Sequence, residues 1–280
     1  MQRLFFVFLF ILQIFALGTT KGEITFISWN IKDFGQSRDD NEIRAIAQLI
    51  RHADIVAIQE VVAKHPGGAQ AVARLVDQLD RMGANWDYSI SDPTKSTSSH
   101  KSERYAFLWK TSKIKITGGG ARLLTELSQS VEREPYMIQF KVNKKVLTIL
   151  NYPACTHTPD FPEREEIKAI SSWLVENEKN NVIWAGDMNL GIDDIAFKPI
   201  IRHGFRHVLN GEKTSLKMSC KNGDYLSRSE DNILYKMNDH SVHEFIVIDF
   251  IKGDDCDLVS TLRDSHSDHL PVDVVISSNI

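Results

Sequence analysis

NVIWAGDMN, residues 181–189, sets a short apolar run against an abrupt polar tip, and its reading decides the fold. Val182, Ile183, Trp184 and Ala185 suit a buried strand, being mostly β-branched or aromatic. Asp187 and Asn189 then fall two apart, which puts both on one face of a continuing strand. A strand gains nothing in stability from such an ending, and an Asp there is commonly a turn residue. The same form recurs, however. ISWN ends in Asn30, AIQE ends in Glu60, and HSDHLPV presents Asp268 and His269 ahead of another apolar run. Carboxylates, amides and an imidazole gathered at neighbouring strand ends would build an oxygen-rich pocket suited to a hard divalent cation.

The segments between the tips alternate in type. ITFISWN (24–30) and DIVAIQEV (54–61) read as strands, and DNEIRAIAQLIRH (40–52) between them carries Ile43, Ile46, Ala47 and Ile50 at helical spacing. AQAVARLVDQLDRMG (69–83) is an amphipathic helix closed by Gly83. SISDPTKSTSSHKSE (89–103) reads as a long surface loop, followed by strands over 105–110 and 113–117. YMIQFKV (136–142) and KVLTILNY (145–152) form a hairpin across Asn143-Lys144, EEIKAISSWLVENEK (165–179) is a helix, and the last third is strand-rich. With no internal repeat and no linker, this predicts one α/β domain in which strands stack as two sheets with helices outside.

Composition agrees with a soluble globular chain: 280 residues, 42% apolar and 25% charged. The exception is MQRLFFVFLFILQIFALG, residues 1–18, where one Arg precedes an apolar run too short for a comfortable membrane span. Residues 1–20 read as a signal peptide ahead of a domain over 21–280, with an uncleaved anchor as the alternative. The expected location is secreted or periplasmic, with no membrane span after cleavage and a monomeric state. Export permits disulfides. Of Cys155, Cys220 and Cys256, the pair Cys220–Cys256 is expected, since Cys155 lies beside a puzzling strand end. A net charge of −4 does not advertise nucleic-acid binding, but a bound cation can supply local positive charge.

In order and spacing, WN at 29–30, QE at 59–60, GDMN at 186–189 and SDHLP at 267–271 are similar to the endonuclease/exonuclease/phosphatase superfamily, the deoxyribonuclease I-like fold. SERYAFLWK (102–110), EREPYMIQF (132–140) and SEDNILY (229–235) resemble further strands of its nuclease branch. The resemblance implies a four-layer α/β/β/α sandwich, two packed mainly antiparallel sheets flanked by helices. It implies hydrolysis of a phosphodiester with Mg²⁺ as cofactor, Ca²⁺ or Mn²⁺ being left open, and DNA gripped by its backbone as the substrate.

It also implies a role for each tip. Glu60 would ligate the metal, and Asn30 would join the metal shell or hold the phosphate through its amide. Asp268, on the opposite side of the strand from His269, would touch metal. His269 would be the general base, its ordinary pKa lying nearest neutrality, with Asp231 as its orienting acid. Asp187 and Asn189 would meet the phosphate or the water from one side. Arg133 would contact a substrate phosphate. Glu103 would orient the acid that protonates the leaving oxygen. Without the resemblance, Glu60 reads as a capping residue, and Asp231 and Arg133 as solvated charges.

One position breaks the pattern. In this branch the strand matching VLTIL ends in a histidine that serves as the leaving-group acid, and counting along the strand puts Pro153 there. Proline has no proton to give. Either His157 swings back from the loop in LNYPACTHTP (150–159), or Tyr152 substitutes, or the protein is slowed or inactive. Three functions therefore stand: a metal-dependent DNA endonuclease of low sequence specificity, a hydrolase of lipid-headgroup or inositol phosphates, and a catalytically impaired binding module on the same fold.

Overall fold

The computed structural model describes residues 22–96, 102–155, 160–177, 180–251 and 256–278. Residues 1–20, read as a signal peptide, and the loop residue His157 lie outside them.

The first sheet contains β1 (Glu23–Phe34), β2 (Ile55–Val62), β3 (Trp86–Ile90), β4 (Glu103–Lys110), β14 (His240–Val247) and β15 (Val272–Ser278). Their order across the sheet is β14-β15-β1-β2-β4-β3. The second contains β5 (Lys115–Ile116), β6 (Arg122–Leu123), β7 (Tyr136–Val142), β8 (Lys145–Asn151), β9 (Val182–Asp187), β10 (Arg206–His207) and β13 (Asp231–Lys236). It runs β10-β13-β9-β8-β7-β5, with β6 also on β7. Only β1–β2 and β8–β9 are parallel among these pairs. Outside lie α1 (Asp40–Ile50), α2 (Gly67–Asp80), α3 (Glu163–Asn177), α4 (Lys198–Arg202) and α5 (Val259–Ser265), and β11 (Leu216–Lys221) with β12 (Asp224–Leu226) forms a separate hairpin.

Alternation along the strands builds the layers. Phe26, Ala57, Phe107 and Val274 of the first sheet meet Ile149, Ile183, Ala185 and Ile233 of the second in a core between the sheets. The opposite face of the first sheet, with Trp29, Val56, Ile58 and Leu108, packs on α1 and α2. That of the second, with Leu150, Tyr152 and Trp184, packs on α3 and α4. The result is the expected α/β/β/α sandwich. α1 starts where Asp39 accepts from the backbone of Asn41 and Glu42 while Glu42 returns a bond to the Asp39 backbone, a capping box. Asn143 and Lys144 take positive φ, +48° and +71°, as the two-residue hairpin turn requires.

Two local expectations change. Ser89 and Ile90 belong to β3, an edge strand, because cross-strand pairing with Phe107 and Ala106 overrides their polar context. The strand expected over 113–117 shrinks to Lys115–Ile116, since only those two pair with β7. Cys220 and Cys256 form a disulfide, and Cys155 is free and buried. No helix among the described residues is long and apolar enough to cross a membrane.

Candidate active site

The polar tips sit at one end of the sandwich, on neighbouring strands of the two facing sheets. Across the first sheet they run His269 (just before β15), Asn30 (β1), Glu60 (β2), Glu103 (β4). Across the second they run Asp231 (β13), Asp187 (β9), Pro153 (just past β8), Arg133 (just before β7). The rows meet pairwise. His269 Nδ1 lies 2.8 Å from Asp231 Oδ2, Asn30 Nδ2 donates to Asp187 Oδ2 at 3.3 Å, and Arg133 pairs with Glu103. Asn30, Glu103, Asp187 and Asp231 share the strand parity of the residues between the sheets, which is why they point into the cleft.

Glu60 is the exception in parity. Ile58 faces the helices, so a regular strand would turn Glu60 the same way. Its φ of +59° and the register shift between Ile58 and Val61 re-aim it, and it accepts from Asn30 Nδ2 at 2.9 Å. A non-glycine residue held there costs about 1–3 kcal/mol, strain of the kind found at functional positions.

Asp187, Asp231 and His269 present ligand atoms within 4.8 Å of one another. His269 Nε2 is 3.6 Å from Asp187 Oδ2. Burial alone would lower the His269 pKa, but the facing Asp231 and Asp187 carboxylates outweigh it and hold the value well above the usual histidine range. Asp187 is pushed up to about 7, first by burial and then by Asp231 and Glu230, against the pull of His269. Asn189, at φ +52°, folds back: its backbone N donates to Asp187 Oδ1 and its amide to Ala154 O and Asp187 Oδ2.

The donor set fits a divalent cation. Asn30 Oδ1 is buried and has no hydrogen-bond partner among the described residues, although its own Nδ2 is engaged by the Glu60 and Asp187 carboxylates. An orphaned buried carbonyl oxygen, on an amide whose nitrogen is flanked by two carboxylates, is a costly arrangement that a hard cation would relieve.

Two expected site residues stand elsewhere. Tyr152 is fully buried on the helix-facing side, packed among α3 residues, so strand parity removes it from the cleft. Asp268 is engaged in ion pairs with Arg263 at 2.8 Å and Lys32 at 3.5 Å, which already balance its charge. Arg133, expected as an exposed phosphate contact, has a side chain only 9% exposed. Asp231 is likewise buried rather than a solvated charge. His157 is outside the described residues. Tyr152 N donates to Ala185 O and Ala154 N to Asp187 O, so Pro153 stands level with the start of the Asp187 tip on the next strand.

Supporting residues had no signal of their own in the sequence. Ser267 Oγ donates to Asn30 O and accepts from the backbone N of Lys32 and His269. Trp29 Nε1 donates to His269 O, and Thr214 Oγ1 accepts from Asp231 N. Asn151, the last residue of β8, is spent on Gln59, Ile58 O and Ala106 O across the sheets. Only proximity to a tip, as for Ser267 in SDHLP, could have flagged any of them.

The model of the Endonuclease/Exonuclease/phosphatase family matches residues 27–269. A protein named deoxyribonuclease from Thioalkalivibrio sp. (strain K90mix) is 28% identical over 195 residues, 65% of this chain and 51% of that protein. A deoxyribonuclease-1-like 1 from Cricetulus griseus is 23% identical over 184 residues, 62% of this chain and 59% of that protein. The chain thus spans little more than half the length of these relatives. A crystal structure of an endonuclease/exonuclease/phosphatase from Bacteroides vulgatus aligns with a TM-score of 0.63 at 14% identity, covering 92% of this chain and 100% of that one. At that identity the likeness concerns the fold.

Proposed function

The chain belongs to the endonuclease/exonuclease/phosphatase family, and from that premise we propose that it is a divalent-metal-dependent phosphodiesterase that cleaves DNA with little sequence preference. The observation that carries the reading is the pairwise meeting of tips from both sheets around Asn30, with an imidazole held by a buried carboxylate at one end. The names of the relatives, which support the deoxyribonuclease I-like branch, favour DNA over other phosphodiesters.

Each residue has a task in such a hydrolysis. Asp231 fixes the Nδ1 side of His269, which leaves Nε2 directed into the cleft to take a proton from the attacking water. Asn189 steadies the Asp187 tip through its backbone and amide. Glu60, Asn30 and Asp187 would hold Mg²⁺, which when bound neutralises charge developing on the phosphate. Arg133 offers its guanidinium to a phosphate oxygen. Nothing in this set reads a base, so affinity would come from the backbone and fall with salt. The apolar stretch at residues 4–17 supports export of the protein to a secreted or periplasmic location.

Supercoiled plasmid tests the reading. Nicking is expected with Mg²⁺, to vanish with EDTA, and to fall about 10²-fold or more in His269→Ala. Turnover confined to lipid-headgroup or inositol phosphates would remove DNA as the substrate, and metal binding without any turnover would remove the enzyme.

A further inference from the structure

Resting on the phosphodiesterase reading, we infer that Ser267 is a positioning residue: its buried hydroxyl fixes the base His269 in place relative to Asn30. His269 needs such a device because of where the chain puts it. β15 pairs with β1 in regular antiparallel register from Glu23↔Ser277 to Ser28↔Val272. The residue before Val272 is Pro271, which has no N–H to give to the ladder. Pairing with β1 stops there, short of His269. The imidazole therefore stands on a tip that no ladder ties to β1.

Side chains supply the missing ties. Ser267 Oγ donates to Asn30 O at 2.6 Å and accepts from Lys32 N at 3.2 Å. Asn30 and Lys32, two apart, turn their backbone groups to the same edge of β1, so the hydroxyl stands in for a backbone partner on a continuing β15. The same oxygen accepts from His269 N at 3.1 Å. A serine hydroxyl has one proton to donate and two lone pairs, and here all three are spent on β1 and His269. Trp29 Nε1 donates to the carbonyl of the same residue, His269 O, at 2.8 Å. Both backbone groups of His269 are thus tied to β1, the strand that carries Asn30.

A separate segment sets the base against its acid. Leu216 N donates to Asp268 O at 2.8 Å and Leu270 N to Thr214 O at 2.7 Å, while Thr214 Oγ1 accepts from Asp231 N at 3.1 Å. Residues 214–216 therefore govern how His269 meets Asp231, and Ser267 governs how it stands to Asn30. Ser267 is 0% exposed, so it acts through the groups it holds and not on a substrate. Displacing a reacting group by about 1 Å can cost about 10²-fold in rate.

The test is Ser267→Ala, assayed on a labelled DNA duplex in Mg²⁺ at a temperature where its near-ultraviolet circular dichroism matches wild type. The expected result is a kcat lower by about 10²-fold with KM within a few-fold, because Arg133 at the far end of the cleft is untouched. In a His269→Ala background the same change should cost no more than a few-fold, since the hydroxyl then has no base to place. Ser171→Ala is the control: it removes a buried hydroxyl on α3 that donates to Ile167 O at 2.6 Å, and kcat should be kept. Should Ser267→Ala not fold, Ser267→Cys, of similar size but a weak donor and acceptor, is read in the same way. A folded variant whose kcat stays within a few-fold of wild type, a loss that Ser171→Ala shares, or an equal further loss in the His269→Ala background would each make Ser267 structural only and overturn the inference. A wild-type chain that cleaves no DNA would instead refute the phosphodiesterase reading, and this inference with it.

Discussion

At His269 the local field, more than the residue type, sets the working range. A base must be neutral, so the rate rises as pH climbs through the imidazole pKa. Asp231 and Asp187 hold that pKa above its ordinary value despite burial, which, on the proposed reading of His269 as the base, would place the acid limb of activity above the usual histidine range. Asp231→Asn removes the nearer and stronger-acting of the two carboxylates. The acid limb should then move to lower pH, with the plateau rate falling about 10²-fold or more because the imidazole loses its ionic anchor. A pH–rate profile checks this, and a limb that does not move would separate Asp231 from the base. Glu60 makes a second residue-level point. The motif gives its identity, but its φ of +59° aims it.

At the scale of elements, α3 steadies the site from behind. Glu166, on its first turns and 0% exposed, accepts from the backbone N of Glu132 at 2.7 Å and of Cys155 at 2.8 Å. One carboxylate thus ties the segment carrying Arg133 to the segment carrying Pro153. Glu166→Ala would leave two buried N–H groups unsatisfied, at roughly 1–3 kcal/mol each. Urea denaturation should show a loss of about 2–4 kcal/mol, and Glu166→Gln, which keeps an acceptor, should lose less. Equal stability of Ala and Gln variants would show that the two bonds contribute nothing. The sequence pattern marks α3 as a helix through Ile167, Ile170 and Leu174, but nothing local distinguishes its buried Glu166 from the neighbouring Glu163 and Glu165.

For the molecule as a whole, the site is a seam between two sheets. Glu60 and Asn30 come from one and Asp187 from the other, so a cation held by all three would cross-link the halves of the sandwich. Mg²⁺ should therefore raise the melting temperature, the stabilisation reaching about 2.7 kcal/mol at a hundred times its Kd. Glu60→Gln should lose most of that shift while melting close to wild type in EDTA. A full shift in the variant would place the cation elsewhere. By itself the sequence determined the layered α/β class, the order of the polar tips and the hairpin at Asn143-Lys144, because periodicity and turn chemistry are local. It also left Pro153 in plain view as a position without a proton. Only the tertiary structure decided which tips meet: that His269 faces Asp231, that Glu103 is held by Arg133, that Tyr152 turns toward the helices, and that Asp268 is taken by Arg263 and Lys32. Those outcomes depend on strand order, register and parity across two sheets, which join residues far apart in the chain and leave no trace in the spacing of neighbours.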